Sequence, residues 1–211
     1  MGRPYILLGG GGHAGVLLAM LRDNHETVLG FTEKDPRKAD SLRMIPCLGE
    51  DATILNYPAK NIFLVNGIGS VGSTLARKML FDRFVSLGYV FPPLVSKRAL
   101  LSRRVILSCG VQVMLGAVIQ CGTVVGSNSI VNSGAVVDHD CFIGSHVHIA
   151  PGVVLSGGVR IEKGVHVGTG ATIVQGVSVG ENALVAAGAV VIDDVPENAF
   201  VMGIPARRRG K

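Results

Sequence analysis

From residue 99 to residue 194 the chain repeats every six residues without an insertion. All sixteen blocks carry Leu, Ile or Val at their third position, from Leu101 through Val137, Ile143 and Ile149 to Val191, and Ala, Val, Thr, Ser or Cys at their first. Period-two alternation over the first three positions points residues one and three inward and residue two outward, as on a short strand. Glycine clusters over positions four to six, where the chain turns a corner. Such a chain coils. Each coil buries its aliphatic ladder against the next, about 4.8 Å away, so stability becomes roughly a sum of nearest-neighbour contributions.

The first half has a different rhythm. Tyr5–Leu8 reads as a buried strand, followed at once by Gly9-Gly10-Gly11-Gly12-His13-Ala14-Gly15 and an apolar helical stretch over residues 16–21. Gly10, Gly12 and Gly15 satisfy G-x-G-x-x-G in the strand-then-helix context the motif requires. There the glycines let backbone N–H groups approach a diphosphate at a helix N-terminus. The same glycines also serve a tight strand-to-helix turn with no ligand. A second strand, Val28–Thr32, ends near Glu33 and Asp35, where an acid or backbone group would meet a ribose or base. A third, over residues 62–66, runs into Gly67-Ile68-Gly69-Ser70 before a helix over residues 74–86. With a last strand near residues 89–91 the order is βαβαβα, a small parallel sheet. Pro92-Pro93 marks the boundary, giving expected domains of 1–93, 94–195 and 196–211. About ninety residues are half a dinucleotide-binding domain, so a single nucleotide fits better than a hydride-transferring NAD enzyme.

Composition narrows the classes. The 211 residues are 48% hydrophobic, with 29 glycines, no tryptophan, 5% aromatics and 17% charged residues, which excludes disorder and matches a narrow aliphatic core. The net charge of +5 comes from scattered basic residues, apart from Arg207, Arg208, Arg209 and Lys211 at the end. Aromatics do not alternate with them, so no nucleic-acid partner is expected; a small phosphorylated ligand suits the mild excess, as does a solvated tail. Cys47, Cys109, Cys121 and Cys141 show no C-x-x-C spacing, and the glycine-rich opening fits neither a signal peptide nor a membrane span. A cytoplasmic protein in a reducing compartment is expected.

Three histidines, His139, His146 and His148, fall close together beside Asp138 and Asp140. They occupy positions five, six and two of their blocks, so they lie around a coil instead of converging on one ion, and no metal is expected. Eighteen residues return the chain to the same place one coil on. His139 therefore stacks below Gly157, and His148 below His166. An imidazole beside a glycine leaves room for a ligand with a backbone N–H at hand, and the flanking carboxylates raise its basicity and fix its tautomer. His146 and His166 are expected at the surface or an interface, and an outward His148 would also suit a subunit interface.

Together, the G-G-G-G-H-A-G opening, the sixteen hexapeptides, V-V-D-H-D-C in the seventh block and the closing V-M-G-I-P-A-R resemble the bacterial sialic-acid O-acetyltransferase and nucleotide-sugar N-acetyltransferase family of hexapeptide-repeat acyltransferases. The resemblance covers nearly the whole chain. It implies a small Rossmann-like α/β domain followed by an all-β left-handed parallel β-helix, with three blocks to a triangular coil. It also implies homotrimers with active sites between subunits, and acetyl transfer from acetyl-CoA to an amino group on a nucleotide-linked sugar. On that likeness His139 is the general base and Asp140 orients it, while His148 lies near the acetyl carbonyl and Gly157 offers its N–H to the thioester oxygen. Gly168, Thr169, Ala186 and Ala187 match the pantetheine track, with Gly203-Ile204-Pro205-Ala206 at the adenine end. Gly12, His13 and Gly69 match nucleotide contacts, with Thr32, Glu33 and Ser70 completing the expected substrate set. Thr32-Glu33 departs from the acidic pair often found there, which leaves the base open.

Three rivals stand beside this. One is O-acetylation of sialic acid or a related sugar hydroxyl, which needs a stronger base. Another is a non-catalytic nucleotide-binding solenoid, which an obstructed groove past Gly157, Gly168 and Ala187 would favour. The third is a metal enzyme resembling the γ-carbonic anhydrases.

Overall fold

The computed structural model describes residues 2–35, 37, 39 and 42–209, so Lys211 of the terminal basic cluster lies outside the described residues. In the N-terminal part, β1 (Tyr5–Leu8) is the central strand, flanked in parallel by β2 (Val28–Thr32) and β3 (Phe63–Asn66). All four residues of β1 are buried, and its alternation divides them between two cores. Tyr5 and Leu7 pack with Ala14, Leu17, Leu18 and Leu21 of α1 (Gly12–Asp23). Ile6 and Leu8 pack with Leu80, Phe81 and Phe84 of α2 (Leu75–Ser86) and with Tyr89 and Phe91.

Two expectations for this part need correction. Between β2 and β3 the chain forms two short 3₁₀ helices, Asp51–Asn56 and Ala59–Asn61, in place of an α-helix. Pro46, Gly49 and Pro58 punctuate that stretch too often for a longer helix. No fourth strand forms near residues 89–91 among the described residues; the Val90 carbonyl accepts one hydrogen bond from Leu64, and then Pro92-Pro93, without N–H groups, end any ladder.

The repeats wind into a three-faced parallel β-helix whose sheets contain 8, 6 and 5 strands. Strands of the first face begin at Leu94, Gln112, Ile130, His148, His166, Leu184 and Phe200, with Arg207–Arg208 closing it antiparallel. Those of the second begin at Leu100, Val118, Val136, Val154, Thr172 and Val190, and those of the third at Ile106, Val124, Phe142, Arg160 and Ser178. Residues eighteen apart pair in register, as His148 does with His166. Inward first and third positions fill the interior with Val, Ile, Leu and Ala.

Corners follow one rule. The sixth residue of fifteen of the sixteen blocks has positive φ, ten times as glycine and otherwise as Arg104, Asn128, Asp140, His146 or Asn182. Glycine adopts this left-handed conformation freely, whereas other residues meet steric strain there. Asp140 therefore occupies a corner where the backbone alone would prefer glycine. The N-terminal part sits on the first face, where α1 shares a core with Leu94, Met114 and Ile130.

Candidate active site

A cavity of about 870 Å³ opens where the N-terminal part meets the first face. Its lining includes all six expected substrate residues, Gly12, His13, Thr32, Glu33, Gly69 and Ser70, together with His148 and Asn132 from the repeats. β1 delivers the chain into the glycine run, and α1 begins at Gly12 with Gly11 as an N-cap that offers no side chain. The first N–H groups of α1 thus remain for an anion. No side chain or backbone approaches Gly11 or Gly12 within 4 Å of an added Cβ.

Thr32 and Glu33 have work within the protein. Thr32 Oγ1 donates to Asp51 Oδ1 at 2.5 Å, and the Glu33 carboxylate accepts the N–H groups of Gly10 (3.1 Å) and Asp35 (3.2 Å). They brace the glycine turn, leaving Asp51, Glu50 and Lys34 beside them in the cavity wall.

Hydrogen bonds define which ring nitrogen carries a proton in both cavity histidines, and burial disfavours their charged forms. Asn132 Oδ1 accepts the Ser133 N–H, so its Nδ2 donates to His148 Nε2 at 3.0 Å. Nδ1 of His148 then carries the proton and donates to Ser70 Oγ at 2.6 Å, freeing the Ser70 hydroxyl proton for a ligand. Gln112 Nε2 donates to the Asn66 carbonyl (2.9 Å), so its Oε1 accepts from His13 Nε2 (2.8 Å). Burial first, then electrostatic coupling to His166, His13 and the Arg77 cation, pushes His148 down to about 3. Burial and Arg77 push His13 down to about 4. His166, expected at the surface or an interface, is buried edge-on against His148 with ring centroids 5.0 Å apart. His146 is half-buried between Asn128 and Phe81 of α2, at the junction of the two parts of the chain.

His139 lies elsewhere. It stands exposed at the corner between the second and third faces, its Nδ1 2.8 Å from Asp140 Oδ2, while its backbone N–H donates to Asp138 Oδ1 at 2.7 Å. Nδ1–H thus points to a carboxylate and Nε2 is left as the base. Two glycines frame the pair. A Cβ on Gly157 would sit 2.6 Å from His139 Nε2, and one on Gly122 would collide with the Asp140 carboxylate. Among the described residues the Gly157 N–H meets no acceptor. The hydrogen bond to Asp140, followed by the charge of Asp138, raises the imidazole above its ordinary value. Its titration, followed by the Cε1 proton resonance, is expected above pH 6.5, with the charged form persisting to higher pH. Asp140→Asn should move the midpoint down, and an unmoved midpoint would show that Asp140 does not hold the ring.

Gly168, Thr169, Ala186 and Ala187 occupy the corner between the first and second faces, where Gly168 lies tightly against the Ala186–Ala187 peptide. Thr169 and Ala187 are exposed there. His148 is thus grouped with Ser70 in the cavity, on the face that leads into this corner: its partner Asn132 stands in the same eighteen-residue column as Gly168 and Ala186, while Gly157 lies at another edge. Gln112, Asn132, Asp51, Arg77 and Gly122 escaped the sequence reading. The eighteen-residue column would have marked Gln112, two coils below His148, and Gly122, one coil below Asp140, while nothing local marked the others.

Among the described residues, no group of three His, Cys, Asp or Glu side chains could hold a metal ion, and no helix is long and apolar enough to cross a membrane.

The family model for the bacterial transferase hexapeptide (six repeats) matches residues 140–175. No curated protein matches in sequence. Among solved structures, a histidine-to-asparagine variant of perosamine N-acetyltransferase from Caulobacter crescentus, in complex with CoA and GDP-perosamine, is 32% identical, with a TM-score of 0.91 covering 99% of this chain and 97% of that one. The acetyltransferase domain of PglB from Neisseria gonorrhoeae, in complex with acetyl coenzyme A, is 31% identical, with a TM-score of 0.90 covering 99% of this chain and 100% of that one. WeeI from Acinetobacter baumannii, 24% identical with a TM-score of 0.87 over 99% of this chain and 100% of that one, shares the fold.

Proposed function

This chain belongs to the hexapeptide-repeat sugar acetyltransferases, and from that premise we propose that it transfers the acetyl group of acetyl-CoA to the amino group of a nucleotide-linked sugar. The observation that carries the reading is the pairing of two sites, a glycine-lined anion cavity and an exposed imidazole held by a carboxylate against a glycine.

The nucleotide sugar binds with its diphosphate at the N-terminus of α1 and its sugar toward Ser70 and His148. His139 Nε2 takes a proton from the amine as its lone pair attacks the thioester carbonyl. The Gly157 N–H donates to the carbonyl oxygen, which becomes negative in the tetrahedral intermediate. As the carbonyl re-forms the C–S bond breaks, and the thiolate of CoA takes the proton from the imidazolium. Acetyl-CoA runs past Gly157 and along the corner of Gly168, Thr169, Ala186 and Ala187.

These parts do not meet within one chain. His139 and Gly157 occupy the edge opposite the first face, whereas the cavity lies over that face and reaches toward the corner of Gly168 and Ala186 through Asn132. A neighbouring subunit therefore completes each site, as a homotrimer arranges. The outward column of the second face, Leu100, Val118, Val136, Val154, Thr172 and Val190, supplies an apolar contact surface, with Leu100 still 68% exposed. Acetyl-CoA as donor sets the reaction in the cytoplasm.

The test mixes the protein and acetyl-CoA with UDP-, dTDP- and GDP-linked amino sugars and with free sialic acid, and follows release of free thiol. Turnover of a nucleotide-linked amino sugar is expected, from a species sedimenting at three times the chain mass. Acetylation of sialic acid alone, or a fully active monomer, would overturn this reading.

A further inference from the structure

α2 sends one cation into the junction of the two parts of the chain. Arg77 is 1% exposed and forms no ion pair among the described residues. Its guanidinium instead grips three carbonyl oxygens. Nη1 donates to Asn66 (2.9 Å) and Ile68 (2.8 Å), at the end of β3 and in the loop that follows, and Nε donates to Asn128 (3.1 Å) in the repeats. Asn66 closes the circuit, its Nδ2 donating to the Arg77 carbonyl (2.9 Å) and to Asn128 Oδ1 (3.2 Å), and its Oδ1 accepting the Ile68 N–H (3.2 Å). Gln112, which holds His13, donates to the same Asn66 carbonyl. Nη2 is buried and has no hydrogen-bond partner among the described residues.

A buried charge without a counter-ion is costly, and an apolar side chain of similar volume would often stabilise such a position better. Burial pulls the group down only to about 9, so it remains charged at neutral pH. What Arg77 supplies is geometry. Two of the carbonyls it holds, those of Asn66 and Ile68, lie just before and within the Gly67-Ile68-Gly69-Ser70 loop, and that loop lines the cavity and contacts His148.

We propose that Arg77 is a positioning residue for the nucleotide sugar: by tying the Asn66–Ile68 segment to Asn128 it sets Gly69 and the Ser70 hydroxyl at their working distance from His148. The proposal rests on the cavity being the nucleotide-sugar site. Among the described residues Arg77 does not line the cavity, and its partners Asn66, Ile68 and Asn128 are not among the acetyl-CoA positions.

Steady-state kinetics of Arg77→Gln and Arg77→Lys, with GDP-perosamine and a UDP-linked 4-amino sugar as probes, test this. KM for the nucleotide sugar is expected to rise by about tenfold or more in Arg77→Gln, with partial recovery in Arg77→Lys, while KM for acetyl-CoA and kcat stay within about twofold. A nucleotide-sugar KM within about twofold of the parent in a folded Gln variant, or in the Lys variant where only that one folds, or both KM values rising alike, would overturn the proposal. Failure of both variants to fold would make Arg77 a folding residue and overturn it equally. Wild-type turnover of neither probe would instead sink the reading of the cavity, and the proposal with it.

Discussion

His139→Ala is expected to lower kcat by about 10²–10⁴-fold, the span a positioned general base contributes. The nucleotide sugar should bind the variant with nearly unchanged affinity, because the cavity that holds its nucleotide is lined by other residues and His139 meets only the amine. Free thiol release measures the first quantity and calorimetric titration of the nucleotide sugar the second. The expectation is large because no described side chain nearby duplicates the ring. Asp138 and Asp140 are its neighbours, and both carboxylates already accept hydrogen bonds from His139 itself. The fold should survive, since an exposed corner side chain leaves no void. A variant retaining near-parental kcat would remove His139 from the mechanism.

Gly157→Ala should be nearly as damaging without touching the base chemically. The new methyl would sit 2.6 Å from Nε2 and 2.7 Å from Cε1 of His139, well inside contact distance. What yields is the far end of an exposed side chain, so the helix folds while the imidazole swings off its corner. A displacement on the order of 1 Å at the reacting atom costs about 10²-fold in rate. Gly158→Ala is the matched control. Its Cβ meets open space, but its φ of +67° strains any side chain, so it should lose about 1 kcal/mol of stability and little activity. Thermal melts and thiol release on the two variants separate the cases. Full activity in Gly157→Ala would mean that the position of Nε2 does not matter.

The repeat could be read residue by residue because each coil contacts only its neighbours, so position within a block decides which way a side chain points. That rule placed His139 outward beside Gly157 and His148 in register with His166, and both stand in the structure. The glycine opening and its helix were legible for the same local reason. Thr32 and Glu33 show what the sequence could not supply: both line the cavity as expected, but their internal partners, Asp51 and the Gly10 N–H, are reached only through the folded chain. The 89–91 segment reads as a strand by composition, yet a ladder needs consecutive N–H donors that Pro92-Pro93 lack.

Six-residue periodicity by itself therefore determined the coil, the inward ladder and the columns that set His139 beside Gly157 and His148 beside His166. Only the tertiary structure decided which face the N-terminal part covers, and hence that His148 joins Ser70 while His139 waits on the opposite edge. Periodicity is a local steric rule, whereas docking depends on α1 meeting Leu94, Met114 and Ile130 and on one buried guanidinium reaching carbonyls far apart in the chain, contacts that leave no repeating trace along it.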